Sequence, residues 1–323
     1  MGSLCVGLIF LCSILASILT DRFGVRRICF IGGLLASIGM YMSSLSTNLT
    51  HLYLTYGVIL GIGGSLAYAP SLVILGHYFK KRLGLANGLV TAGSSLFTII
   101  MPILLKKFII SKGIHSTLAY LSILMSLLMI CALTFQEKLT PQNDSKFNEI
   151  NNIKKDSEKH KRRLFSRSLW HNKLYILWVF AIPIALFGYF VPFVHLVRYA
   201  KDQIPEANGE ILVTCIGAFS GVGRFITGPI ADVSNVNRIV LQQIAFLSIG
   251  ILTMMLTVAN SMPFLLIICC GLGLFDGCFI SLLGPIAFDL VGPNDASQAI
   301  GFLLCFCSLP LTIGPPVAGK SVM

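Results

Sequence analysis

Residues 52–76 read LYLTYGVILGIGGSLAYAPSLVILG, a run of 25 positions without one charged side chain. Coiled as a helix at 1.5 Å per residue, such a run is about 37 Å long, enough to cross the roughly 30 Å hydrocarbon core of a bilayer. Similar apolar stretches recur near 2–20, 28–46, 84–105, 116–135, 174–197, 210–230, 239–258, 262–288 and 297–318. The sequence therefore predicts an all-α membrane protein with ten transmembrane helices.

Composition agrees with that reading. Of 323 residues 55% are hydrophobic and only 11% charged, with a mean hydropathy of +0.83, too little polar material to clothe a soluble globule. A water-soluble enzyme, a disordered chain, a collagen-like repeat and a disulfide-stapled scaffold are excluded on the same ground. The net charge of +11 is a matter of sidedness, not of a nucleic-acid partner. All ten cysteines fall inside apolar segments and read as small hydrophobes. Cys269 and Cys270 are adjacent but have no histidine at ligand spacing, so no metal site and no cofactor are expected. No intramembrane Ser-His, His-Asp or paired-Asp arrangement suggests an enzyme.

Between the fifth and sixth stretches lies a polar segment, Gln136 to His171, that divides the chain into an N-terminal bundle (1–135), a linker (136–172) and a C-terminal bundle (173–323). Placing the linker in the cytoplasm puts 17 Lys and Arg on that side, among them Arg22, Arg26, Arg27, Lys80, Lys81, Arg82 and Arg238, against six opposite. Lys106, Lys107 and Lys112 then fall in an external loop. Asn48-Leu49-Thr50 becomes an external sequon, whereas Asn143-Asp144-Ser145 is cytoplasmic.

Two turns resemble each other. Thr20-Asp21-Arg22-Phe23-Gly24-Val25-Arg26-Arg27 follows the first helix; Gly228-Pro229-Ile230-Ala231-Asp232, with Arg238, follows the seventh. In each an acid closes one helix and a base opens the next. Asp21, Arg22, Arg26, Asp232 and Arg238 are thus candidate gating residues, able to pair carboxylate with cation across neighbouring helices. A purely topological charge signal is the competing explanation.

These turns resemble the major facilitator superfamily, whose two pseudo-symmetric six-helix halves are joined by a cytoplasmic loop. Tyr78-Phe79-Lys80-Lys81-Arg82-Leu83-Gly84-Leu85-Ala86-Asn87-Gly88 resembles the signature of the monocarboxylate transporter family. Leu186–Pro192, Ser220-Gly221-Val222-Gly223-Arg224 and Gly273–Ser281 are similar to its T-type branch of aromatic amino-acid and thyroid-hormone carriers. The resemblance implies facilitated, sodium- and proton-independent transport of Trp, Tyr, Phe and iodothyronines at the plasma membrane, with a small-molecule substrate and the lipid bilayer as partners; homo-oligomerisation stays open. Measured against the family's twelve helices, the chain lacks the first and ends before the last, so a chain truncated at both ends is expected. A non-transporting, regulatory interaction protein and a proton-linked monocarboxylate carrier are the alternatives.

Charge within the membrane marks the candidate site. Arg224 lies in the seventh stretch, eight residues before Asp232, and Asp276 lies at a comparable depth in the ninth. An unpartnered arginine there costs several kcal/mol, so the two are expected to pair. Arg224 is read as receiving a substrate carboxylate and Asp276 as holding it in place or meeting the substrate ammonium. The resemblance assigns such a pair to substrate recognition, and a permanent ion pair that only fixes helix packing is the competing reading. The resemblance also implies an aspartate four residues before the arginine in proton-coupled relatives, and Ser220 stands there instead. His195 near the end of the sixth stretch could bond a phenol or simply cap the helix. Tyr189, Phe190, Phe193 and Phe275 offer aromatic faces. Gly61, Gly63, Gly64, Pro70, Gly284-Pro285, Pro310 and Gly314-Pro315-Pro316 are the expected points of bending.

Overall fold

A computed structural model describes residues 2–79, 81–135, 166, 168–203, 209–259 and 261–321. Most of the expected linker, with Asn143 and its sequon, lies outside these residues, and so does the side chain of Phe190.

Most of the described residues are helical, with no strand among them. Helix α1 (Gly2–Leu11) and α2 (Ser13–Phe23) form a pair bent by 43° at Cys12. Gly24, at φ 86°, makes the turn into α3 (Val25–Ser44). A short α4 (Leu49–Leu52) and a π-helical turn (Tyr53–Ile59) lead into α5 (Leu60–Tyr78). Then follow α6 (Leu83–Thr134), a 3₁₀ turn (Leu169–His171), α7 (Lys173–Gln203), α8 (Gly209–Ala231), α9 (Arg238–Leu256) and α10 (Met262–Ser321). The start of α9 is capped by Asn237, whose side chain accepts from the Ile239 and Val240 amides.

Helix α6 has 52 residues, and straight it would be about 78 Å long, more than twice a bilayer core. It is broken at Gly113 (φ 78°, ψ 170°), and α10 is broken likewise at Gly292 (φ 75°, ψ 174°). Those dihedrals suit glycine because a Cβ would clash there. Each of the two helices is therefore two arms joined by a single residue. This corrects the expected external loop: Lys106, Lys107 and Lys112 are helical, since long basic side chains can carry their charge to water while the backbone keeps its own hydrogen bonds. It also relocates the bends. Helical dihedrals continue through Pro70, Gly284, Pro285 and Pro310, whereas the breaks fall at Cys12, Gly113 and Gly292.

Contacts divide the chain into two compact units. The first comprises Met1–Ile74, His115–Phe180 and Leu290–Ser308. Its core is built around Cys5, Ala36, Met40 and Leu60, and around Val25, Cys29, Ile74 and Ala132. Helices α3 and α5 touch at backbone level, because a Cβ on Gly32 would stand 2.7 Å from the Ala67 nitrogen. The Ser13 hydroxyl donates to the Gly301 carbonyl at 2.8 Å and the Tyr175 hydroxyl to the Ala299 carbonyl at 3.0 Å, tying α2 and α7 to the second arm of α10.

The second unit comprises Leu75–Ile114, Ala181–Asp289 and Leu309–Met323. At its centre α8 is held between two partners by glycine-lined faces. Towards α6, a Cβ on Gly88 would lie 2.6 Å from the Arg224 carbonyl oxygen, and one on Gly84 would lie 2.7 Å from that of Gly228. Towards α10, Gly223 meets the Leu274 carbonyl, while Gly273 and Gly277 meet the carbonyls of Ile216 and Ser220. Such close backbone approach is the usual means of packing helices in lipid, where no hydrophobic drive separates helix from solvent.

Candidate functional site

Gly277 sits one residue after Asp276 and against Ser220, one helical turn before Arg224. The crossing of α8 and α10 therefore brings the acid and the base to the same depth. The Arg224 Nη2 lies 3.8 Å from the Asp276 Oδ2, and both residues are buried, with 5% and 7% exposure. That separation is an ion-pair contact but too long for a hydrogen bond. Asp276 meets its hydrogen bonds elsewhere: Ser220 Oγ donates to Oδ2 at 2.6 Å and the Tyr189 hydroxyl donates to Oδ1. On the other side of α8, the Arg224 Nη1 donates to the Thr91 carbonyl and to Ser94 Oγ, both on α6.

Four of the six candidate binding residues, Arg224, Asp276, Ser220 and Tyr189, are thus brought together. Beside them is a set of rings. Tyr189 lies 5.1 Å from Phe193 and 5.7 Å from Phe279 between centroids, and Phe279 lies 4.5 Å from Phe246. Phe279 was not singled out from sequence, although it stands three residues after Asp276 on the same helical face. Thr91 and Ser94 were also missed. Phe275 is half-buried and joins no ring pair among the described residues. His195 is half-buried as well, and α7 continues past it to Gln203. It therefore does not cap the helix end, because the polar tail of α7 is itself helical.

The two acid-base turns end differently. Asp232 accepts from the Gly84 and Leu85 amides, each at 2.8 Å, capping the start of α6 with a carboxylate. Arg238 bonds the same Asp232 at 3.1 Å, both oxygens of Asp289 at 2.8 and 2.9 Å, and the Ala231 carbonyl. In the first unit, Asp21 accepts from Gln298 Nε2 at 3.2 Å, again near the start of a helical arm. The expected pairing of Arg22 and Arg26 is not found: both are exposed and form no ion pair among the described residues. Asp21, the carboxylate expected to pair with them, accepts from Gln298. All ten cysteines are free thiols, and no His, Cys, Asp and Glu grouping suited to a metal occurs among the described residues.

Bilayer-length helices packed on glycine, with a buried cation and carboxylate between them and carboxylate-capped turns at their ends, mark a multi-pass membrane protein. The chain belongs to the Major Facilitator Superfamily, whose profile it matches over residues 1–319. Within that superfamily it is 47% identical to the mouse protein named monocarboxylate transporter 10, over 98% of this chain and 63% of the relative. Identity to the human protein of the same name is 46%, over 98% and 62%. Mouse monocarboxylate transporter 4 is 30% identical, over 95% and 65%. The chain thus spans a little under two thirds of the length of these relatives. Its fold is similar to that of the human organic anion transporter MFSD10 (TETRAN), with a TM-score of 0.73 over 98% of this chain and 76% of the other at 16% identity.

Proposed function

We propose that the chain is a facilitative carrier of aromatic amino acids, and of iodothyronines, that works by alternating access of the halves 1–135 and 173–323 across the plasma membrane. The observation that carries this reading is the Arg224 to Asp276 contact of 3.8 Å. The relatives' name implies a substrate with one carboxylate, and a planar guanidinium is the group best shaped to receive it. A carboxylate entering beside Asp276 would be met by the Nη2 side of that guanidinium. As that carboxylate binds, Asp276 stays on Ser220 and Tyr189 and is available to the substrate's ammonium. The rings of Tyr189, Phe193 and Phe279 then flank an aromatic side chain, where edge and face contacts contribute about 0.5–1.5 kcal/mol each.

Ser220 is a hydroxyl that does not titrate near neutral pH, so the chain has no carboxyl one turn before Arg224 to carry a proton with each substrate. At the cytoplasmic end, Arg238 with Asp232 and Asp289 forms a latch that must part for that side to open.

The test is uptake of labelled tyrosine and triiodothyronine into cells expressing this chain, or a version extended to the full length of its relatives, each normalised to surface protein. Uptake above untransfected cells is expected, with at least a tenfold loss on Arg224→Ala at unchanged surface level. Normal uptake by that variant would remove Arg224 from the mechanism. Uptake by the extended version alone would favour a regulatory or interaction role for this shorter chain.

A further inference from the structure

Arg22, Arg26 and Arg27 stand where Arg238 stands in the other turn, yet their side chains form no ion pair or hydrogen bond among the described residues. Positions 22–136 contain nine basic and no acidic residues, so nothing in that stretch can neutralise them. Asp21 beside them already accepts from Gln298. The three arginines line an open groove of about 1110 Å³ at the ends of α2, α3 and α6. Its other walls include Asp21, whose carboxylate leaves the arginines in excess by two charges, and Phe23, Ile31 and Leu133, which are 53%, 45% and 48% exposed. The groove therefore joins concentrated positive charge to uncovered apolar surface at the level where helices leave the bilayer.

We propose that this groove binds the phosphorylated headgroup of an anionic phospholipid, with an acyl chain lying against Phe23, Ile31 and Leu133. Three guanidinium groups suit phosphate oxygens, which they can bond in pairs. The apolar wall favours an amphiphile over a free anion. The positive-inside distribution puts the groove on the cytoplasmic leaflet, where anionic lipids are concentrated. The chain's own segment 136–165 is a poorer occupant, because it carries eight basic and five acidic residues and so has the same sign of charge.

The test is native mass spectrometry of the purified chain with phosphatidylcholine, phosphatidylserine or phosphatidylinositol bisphosphate. Retention of the bisphosphate lipid over phosphatidylcholine by on the order of tenfold is expected, falling to parity when Arg22, Arg26 and Arg27 are all changed to Gln. If that variant does not elute as a folded monodisperse species, the single changes serve, each lowering retention roughly two- to fivefold. The triple change Lys106→Gln, Lys107→Gln and Lys112→Gln, equal in charge but at the other end of α6's first arm, leaves the preference intact. Unchanged retention by the arginine variants overturns the proposal, and so does an equal loss from the lysine variant. Displacement of the lipid by soluble inositol trisphosphate at equal concentration also overturns it, assigning the groove to a free phosphate compound.

Discussion

Arg224 divides its guanidinium between two neighbours, giving one amino group to α6 and holding the other near Asp276. Arg224→Lys keeps the charge but offers a single point donor that cannot serve both sides. Uptake at least tenfold lower is expected at equal surface expression. Asp276→Asn leaves a buried cation without its counter-charge, a change that costs about 3–5 kcal/mol in buried pairs. Loss of folded protein in detergent, read by fluorescence-detected size exclusion, is the expected result. Ser220→Asp supplies a group that can carry a proton beside Asp276, so tyrosine uptake by this variant becomes dependent on an imposed pH gradient; an unchanged profile would count against the role given to position 220. The acid and the base were legible in the sequence because charge inside an apolar run is rare and must be answered. Thr91 and Ser94 were not legible. Thr91 meets Arg224 through its backbone carbonyl, which no side-chain pattern marks. Hydroxyls within membrane helices commonly bond their own preceding turn, as the Ser94 hydroxyl also does with the Thr91 carbonyl at 2.9 Å, so nothing in the sequence singles Ser94 out.

Helix α8 owes its place to missing side chains, since Gly223 and Gly228 on α8, Gly84 and Gly88 on α6, and Gly273 and Gly277 on α10 let backbones meet. Gly88→Val pushes against the Arg224 carbonyl, and overpacking of this kind costs about 1–3 kcal/mol. A drop of roughly 2–10 °C in the melting temperature of the purified protein is expected, together with weakened uptake through a displaced Arg224. The first turn of α6 relies on the Asp232 carboxylate. Asp232→Ala removes a cap worth about 0.5–2 kcal/mol, so the Gly84 and Leu85 amides exchange hydrogen faster by about 2- to 30-fold. Apolar length revealed the helices and bracketed two of the breaks, between 105 and 116 and between 288 and 297, but not the residue that makes each one. A proline in a buried helix can be accommodated by its neighbours, whereas a reversal needs a positive φ, and the sequence does not distinguish Gly113 and Gly292 from glycines that serve packing.

For the molecule as a whole, the positive charge is unevenly answered. The C-terminal turn closes on its own carboxylates, while the N-terminal one presents bare arginines; the repeat was readable in sequence, but the difference rests on Asp289, which lies 51 positions beyond Arg238. The same whole-chain view predicts that tyrosine uptake persists when sodium is replaced by choline and when the proton gradient is collapsed. A twofold or greater response to either would speak for ion coupling. The reversal at Gly113 also bears on how the protein can be handled. Proteases and antibodies need several residues of accessible, extended chain, and a connection of one glycine offers none. An epitope inserted at 113 is expected to break the two arms of α6 apart, whereas residues 46–48, non-helical and largely exposed, can take one.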